Sequence, residues 1–116
     1  MERSIRPIGA VLIANRGEIA LRIARSCRSR GVRVLGVYTA EDADQLHASS
    51  MDACVEVADY LDSEALIAAA RSLGADAVHP GYGFLSENAD FASAVEDAGL
   101  IWVGPPAAAI SDGVKG

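Results

Sequence analysis

Lysine occurs once in this chain, at Lys115, and aromatic residues make up only 5% of it. A nucleic-acid groove built from cations interleaved with stacking rings is therefore not expected. No apolar run approaches the ~20 residues that a membrane-spanning helix requires. The start, Met1-Glu2-Arg3-Ser4-Ile5-Arg6, also lacks the apolar segment of a signal peptide. These absences point to a cytoplasmic protein without a membrane partner. Cysteine is scarce as well: Cys27 and Cys54 stand far apart among apolar neighbours, without CxxC spacing. They read as reduced core thiols, and neither a disulfide nor a metal site is expected.

What is present is aliphatic. Hydrophobic residues form 51% of 116 positions, enough for one compact domain with its own core. The net charge of -6 conceals an asymmetry, because eight of the nine arginines fall within the first 33 residues, opposed there only by Glu2 and Glu18. A basic edge on an acidic body is the result, suited to solvent or to a protein surface.

Apolar runs of strand length alternate with segments of helical period, the pattern of repeated βα units around a parallel sheet. Strands are expected over residues 10–15, 32–38, 53–57, 77–79 and 100–103. Helices are expected over 18–30, 63–73, 88–98 and 107–111, with one or two helical turns between Glu41 and His47. Ile19, Ile23 and Cys27 recur on one face of the first helix, Asn15 and Glu18 have capping-box spacing before it, and Gly31 ends it. Parallel strands are buried on both faces, so the fold class is α/β, a doubly wound sheet of about five strands. Ligands in such folds belong at the carboxyl ends of the strands. Residues 15–18, 39–44 and 79–87 lie there.

The turn after the first strand, Asn15-Arg16-Gly17-Glu18, has one glycine where a dinucleotide fingerprint has three, and Glu18 would repel phosphate. NAD is not expected. A capped helix start with Arg16 in a salt bridge accounts better for the turn. More informative is His79-Pro80-Gly81-Tyr82-Gly83-Phe84-Leu85-Ser86-Glu87-Asn88, in which two glycines flank a tyrosine just past a strand end. From the residues alone, such a loop either presents Tyr82 and its own backbone to a ligand or is a turn whose Tyr82 and Phe84 cover the sheet edge. His79 by itself reads as a hydrogen-bonded structural histidine.

Together, Asn15-Arg16-Gly17-Glu18-Ile19-Ala20 and the stretch from His79 to Asn88 resemble the two signature motifs of the amino-terminal domain of biotin carboxylases. These are the enzymes of acetyl-CoA, propionyl-CoA and pyruvate carboxylases. Between the motifs, Asp42, Asp44, His47 and Asp52 resemble the family's acidic stretch with a histidine, Tyr60-Leu61 its entry to a helix, and Gly104-Pro105 a later turn. The resemblance runs from about Ile8 to Lys115. It implies that residues 1–116 are one Rossmann-like pre-ATP-grasp domain, with the ATP-grasp and carboxyl-terminal domains lying outside the chain.

The resemblance further implies an ATP-dependent ligase in which bicarbonate and ATP give carboxyphosphate, and the carboxyl group passes to biotin on a carrier protein, with magnesium neutralising phosphate charge. The complete enzyme would need ATP, magnesium and biotin, and would work with a biotin carboxyl carrier domain and a carboxyltransferase. Most nucleotide, metal and bicarbonate ligands would lie after Gly116, so no catalytic residue and no cofactor site is expected within this chain and the chain alone is expected to be inactive. On the biotin side the resemblance selects the loop residues His79, Gly81, Tyr82, Gly83 and Glu87. It selects Lys115 for the ATP phosphates, although Asp112-Gly113-Val114-Lys115 is one residue short of the family spacing counted from Gly104. It selects Arg22 and Arg25, on the first helix, for a homodimer interface, although Ser29 replaces a common carboxylate. The loop before Tyr60 is also shorter than usual. The alternatives are a non-catalytic truncated copy serving folding or dimerisation, and the corresponding domain of a carbamoyl phosphate synthetase-like ligase.

Overall fold

The computed structural model describes residues 8–104. The expected helix over 107–111 and Lys115 lie outside them. In chain order the described elements are strand β1 (Ala10–Ile13), helix α1 (Gly17–Ser29), β2 (Arg33–Tyr38), a 3-10 turn (Ala40–Asp42), α2 (Leu46–Ser50), β3 (Ala53–Glu56), α3 (Ser63–Leu73), β4 (Ala77–His79), α4 (Ala89–Asp97) and β5 (Ile101–Trp102). All strand pairs are parallel, and the five strands lie in the order β3-β2-β1-β4-β5.

Side-chain alternation divides the core into two layers. On one face Leu12, Leu35, Val37, Val78 and Trp102 pack with Leu66, Ala69 and Ala70 of α3 and Phe91, Ala92 and Val95 of α4. On the other, Val11, Ile13, Val34 and Ala77 meet Ala20, Ile23 and Ala24 of α1. Helices thus cover both faces, as the near-continuous apolar character of β1 and β2 requires. Each fully buried Leu, Ile or Val contributes roughly 1.5–3 kcal/mol. The Phe91 and Trp102 rings meet edge to face at 5.6 Å, tying α4 to β5.

Local signals account for the helix ends. Asp62 accepts a hydrogen bond from Ala65 N at the start of α3, and Asn88 accepts one from Phe91 N at the start of α4. The expected capping box of Asn15 and Glu18 does not form. Arg16 occupies the cap position of α1 without a side-chain cap bond, and Asn15, one residue before it, accepts at Oδ1 from Arg16 N. The first and fifth strands are two residues shorter than the apolar runs implied, and the second and third one residue shorter. Cys27 and Cys54 are free thiols, but half-buried beside the core rather than inside it. Burial raises both, Cys54 to about 11.

The strand order fixes where a ligand site belongs. From β1 the chain steps outward to β2 and β3, then returns across the sheet to β4 on the other side of β1. The crossovers diverge between β1 and β4, so a crevice opens at the carboxyl ends of these two strands. Asn15 and the loop 80–87 meet there.

Candidate functional site

Asn15 lies just past the end of β1 and is 1% exposed. A buried amide needs partners for its donors and its acceptor. Its Nδ2 donates to Pro80 O at 2.9 Å and to Tyr82 O at 2.7 Å, while its Oδ1 accepts from Arg16 N at 2.8 Å. One side chain therefore joins the β1–α1 turn to the first half of the loop. Adjoining it, Ala14 N donates to His79 O and prolongs the ladder by one bond.

The loop has the backbone its glycines permit. Gly81 and Gly83 both take φ of 69°, and Phe84 follows at 46°. A Cβ at Gly81 would stand 2.7 Å from Asn15 Nδ2, whereas at Gly83 it would meet nothing within 4 Å. Gly81 N donates to His79 Nδ1, which makes that nitrogen an acceptor. Burial lowers the His79 imidazole below its ordinary value. The imidazole is thus neutral at pH 7 and accepts from the loop backbone. Ser86 N donates to Gly83 O, Leu85 and Ser86 are buried, and Glu87 and Gly83 are exposed. Tyr82 projects from this fixed frame with 69% of its surface exposed. Together with His79 it borders a groove of about 500 Å³ that continues along α1 past Ile23 and Arg22.

A second network supports the far half of the loop. Arg16 grips Asp42 with two hydrogen bonds, Nε at 2.6 Å and Nη2 at 2.8 Å. The Tyr60 hydroxyl donates to Asp42 Oδ2 at 2.6 Å, and the Tyr60 ring lies 5.3 Å from that of Phe84. His47 is 1% exposed; its Nδ1 accepts from Gly17 N, so Nε2 carries the proton and donates to Val37 O at 3.2 Å. Arg16 and then Tyr60 hold the Asp42 carboxyl well below the usual carboxylate range, against the opposing effect of burial. Burial lowers His47 and raises Tyr60. At neutral pH the cluster is an ion pair flanked by a neutral phenol and a neutral imidazole.

The three segments assigned to the strand ends are thus brought together. Asp42 and His47 belong to the network, while Asp44 is exposed and Asp52 accepts from Val34 N at the amino-terminal end of β2. Arg22 and Arg25 lie exposed on α1 as expected, and Arg25 reaches Glu18 at 3.1 Å in a solvent-facing pair. Among the described residues no group of three or more His, Cys, Asp or Glu is arranged to hold a metal. Sequence reasoning missed the partners of Asn15 and the contact of Tyr60 with Phe84. A polar residue closing an apolar strand was the available signal for the first.

Known proteins resemble this chain over most of its length. The family model described as biotin carboxylase, N-terminal domain, matches residues 7–110. The biotin carboxylase of Haemophilus influenzae is 52% identical over 103 residues, covering 84% of this chain and 23% of that protein. The methylcrotonoyl-CoA carboxylase subunit alpha, mitochondrial, of Glycine max is 46% identical over 111 residues, covering 90% and 15%. Among solved structures, the biotin carboxylase domain dimer of the Hydrogenobacter thermophilus 2-oxoglutarate carboxylase, in complex with MgADP and bicarbonate, superposes with a TM-score of 0.88 at 35% identity, over 92% of this chain and 25% of that one. The chain thus spans a quarter or less of the length of each.

Proposed function

From the premise that this chain belongs to the biotin carboxylase N-terminal domain family, we propose that residues 1–116 form one wall of a biotin carboxylase site, presenting Tyr82 to biotin. The observation that carries this reading is the exposure of Tyr82, 69%, on a loop otherwise fastened at the sheet's switch point. An exposed aromatic on a fixed support offers contact area at little entropic cost. His79, Gly81 and Gly83 shape the support, and Glu87 stands at its far end. The complete enzyme would carboxylate carrier-bound biotin at the expense of ATP, with bicarbonate as carbon source, in the cytoplasm, and pass the carboxyl group to a carboxyltransferase.

Bound magnesium would neutralise phosphate charge in that reaction. The described residues do not fit it: they provide no cluster of metal ligands, and Glu18 in the first turn of α1 opposes an anion there. Nucleotide and metal are therefore assigned to protein outside residues 8–104, as is Lys115. The domain alone is expected to lack ATP-dependent carboxylation.

Tyr82→Ala tests the reading. Because the side chain packs against little, the variant chain should keep its stability within about 0.5 kcal/mol by urea denaturation. In the complete enzyme the KM for free biotin should rise, on the order of tenfold, through lost contact surface. A chain that unfolds, or an unchanged KM, would assign Tyr82 to covering the sheet edge instead.

Arg22 and Arg25 form the second part of the proposal. Both are exposed on α1, and arginine forks suit carboxylates across a protein interface. A homodimer through this helix is proposed for the complete enzyme. Reversing both charges should lower its mass in light scattering from dimer to monomer, and an unchanged mass would remove the helix from the interface.

A further inference from the structure

We propose that Asn15 and Arg16, two adjacent residues of the β1–α1 turn, are positioning residues that mount the loop 80–87 from both ends, Asn15 directly and Arg16 through Asp42 and Tyr60. The proposal deepens the biotin-side reading and rests on it for its functional consequence. The base of the loop has few other ties. Pro80 lacks an N–H, and the carbonyls of Pro80 and Tyr82 both receive their bonds from the buried Asn15 amide. Gly81 fits against that amide so closely that a Cβ would displace it. The amide therefore fixes the path of the backbone on both sides of Gly81, and through it the point from which Tyr82 projects.

The distal half depends on the neighbouring residue. Phe84 holds a positive φ of 46°, a conformation a bulky residue keeps only when its surroundings over-determine it. Its support is the Tyr60 ring, and Tyr60 is fixed in turn by its hydroxyl bond to Asp42, which Arg16 grips with a fork. The Tyr60 hydroxyl also accepts from Thr39 N at 3.3 Å, so the ring is tied to the end of β2 as well. Both routes start in one turn, so Tyr82 is referenced to the end of β1, the central strand, rather than to its own loop.

Backbone amide hydrogen exchange on the chain, resolved residue by residue, tests the mount. Asn15→Ala should accelerate exchange at Gly81 and Ser86 about thirtyfold, the factor expected when both loop bonds of the amide are lost. Amides of the β1–β2 ladder should keep their protection. Tyr60→Phe retains the ring and removes the hydroxyl, and Arg16→Lys retains the charge and removes the fork. Both should accelerate Ser86 more than Gly81. Should Asn15→Ala fail to fold, these two milder variants decide. Unchanged loop exchange in the variants that fold, or equal acceleration throughout the sheet, would overturn the proposal.

In the complete enzyme Asn15→Ala should raise the KM for free biotin by a larger factor than it lowers kcat. Wild-type KM together with a loosened loop would leave the mount standing and remove the biotin-facing role of Tyr82, so the two ideas fail separately. Rescue separates positioning from bulk: Asn15→Gln keeps an amide of different reach and should restore less loop protection than Tyr60→Phe retains. Asn15→Leu keeps the bulk without the amide and should lose as much loop protection as Asn15→Ala; wild-type protection in Asn15→Leu would count against the mount.

Discussion

Gly81→Ala is expected to destabilise the chain by about 3 kcal/mol, against about 1 kcal/mol for Gly83→Ala. Both glycines take φ of 69°, so each substitution meets the same left-handed backbone cost, about 1 kcal/mol. Only at Gly81 does the new methyl group find the space taken, by Asn15 Nδ2 at 2.7 Å and Ile19 Cγ2 at 3.0 Å. The asparagine cannot yield cheaply. Moving its amide loosens the bonds to Pro80 O and Tyr82 O, each contributing roughly 1 kcal/mol net. Urea denaturation of the two variants gives the comparison directly. Equal losses would mean that the backbone conformation alone governs both positions, and that the Asn15 amide adapts without cost.

The contrast between the two glycines also marks where sequence reading stops. The pair flanking Tyr82 signals special backbone geometry, and both do lie at positive φ. Which of them is crowded depends on a residue 66 positions earlier, and local pattern carries no record of that neighbour. Asn15 shows the same limit from the other side. Its spacing to Glu18 satisfies a capping rule, yet Arg16 takes the cap position, Asn15 Oδ1 accepts from Arg16 N instead of a helix amide, and its Nδ2 is held by the loop.

The elements were legible for a physical reason. Runs such as Ala10–Ile13 are buried on both faces and so are apolar throughout, and α3 is bracketed by Asp62 and Gly74, whose local chemistry starts and stops a helix. Strand order was not legible, since periodicity describes faces and not neighbours. The exposure of Tyr82 beside the exposed Phe84 was open in the sequence for a similar reason. Two aromatic residues two apart look alike in composition, and only the Tyr60 ring, brought beside one of them, gives Phe84 a structural role and leaves Tyr82 outward.

Asp42 provides the other large effect, and one that depends on pH. Asp42→Ala is expected to cost about 2–3 kcal/mol at pH 7, chiefly from the charge-assisted bonds lost and from the Tyr60 hydroxyl left beneath the surface without its acceptor. Arg16 tempers the loss, because its side chain is 42% exposed and can turn to water. The pH dependence follows from the direction in which each group is moved. The folded state holds Asp42 well below the usual carboxylate range, so its contribution is complete above the unfolded value of about 4 and is lost as pH falls from there toward the folded value. His47 is lowered by burial, so the unfolded chain takes up the proton first, below about 6.5, and stability again falls with pH. His79, lowered by burial, adds a loss of the same sign in that upper window. Acidification should therefore weaken the fold in two stages. Asp42→Asn, which removes the titrating group, should flatten the stage below about pH 4, and His47→Gln should reduce the stage that begins near 6.5. Denaturation midpoints at pH 8, 5.5 and 3.5 would separate them. An Asp42→Asn chain that loses stability between the last two as steeply as the wild type would show that the acid response arises elsewhere, and that the Arg16–Asp42 fork contributes little to holding the turn in place.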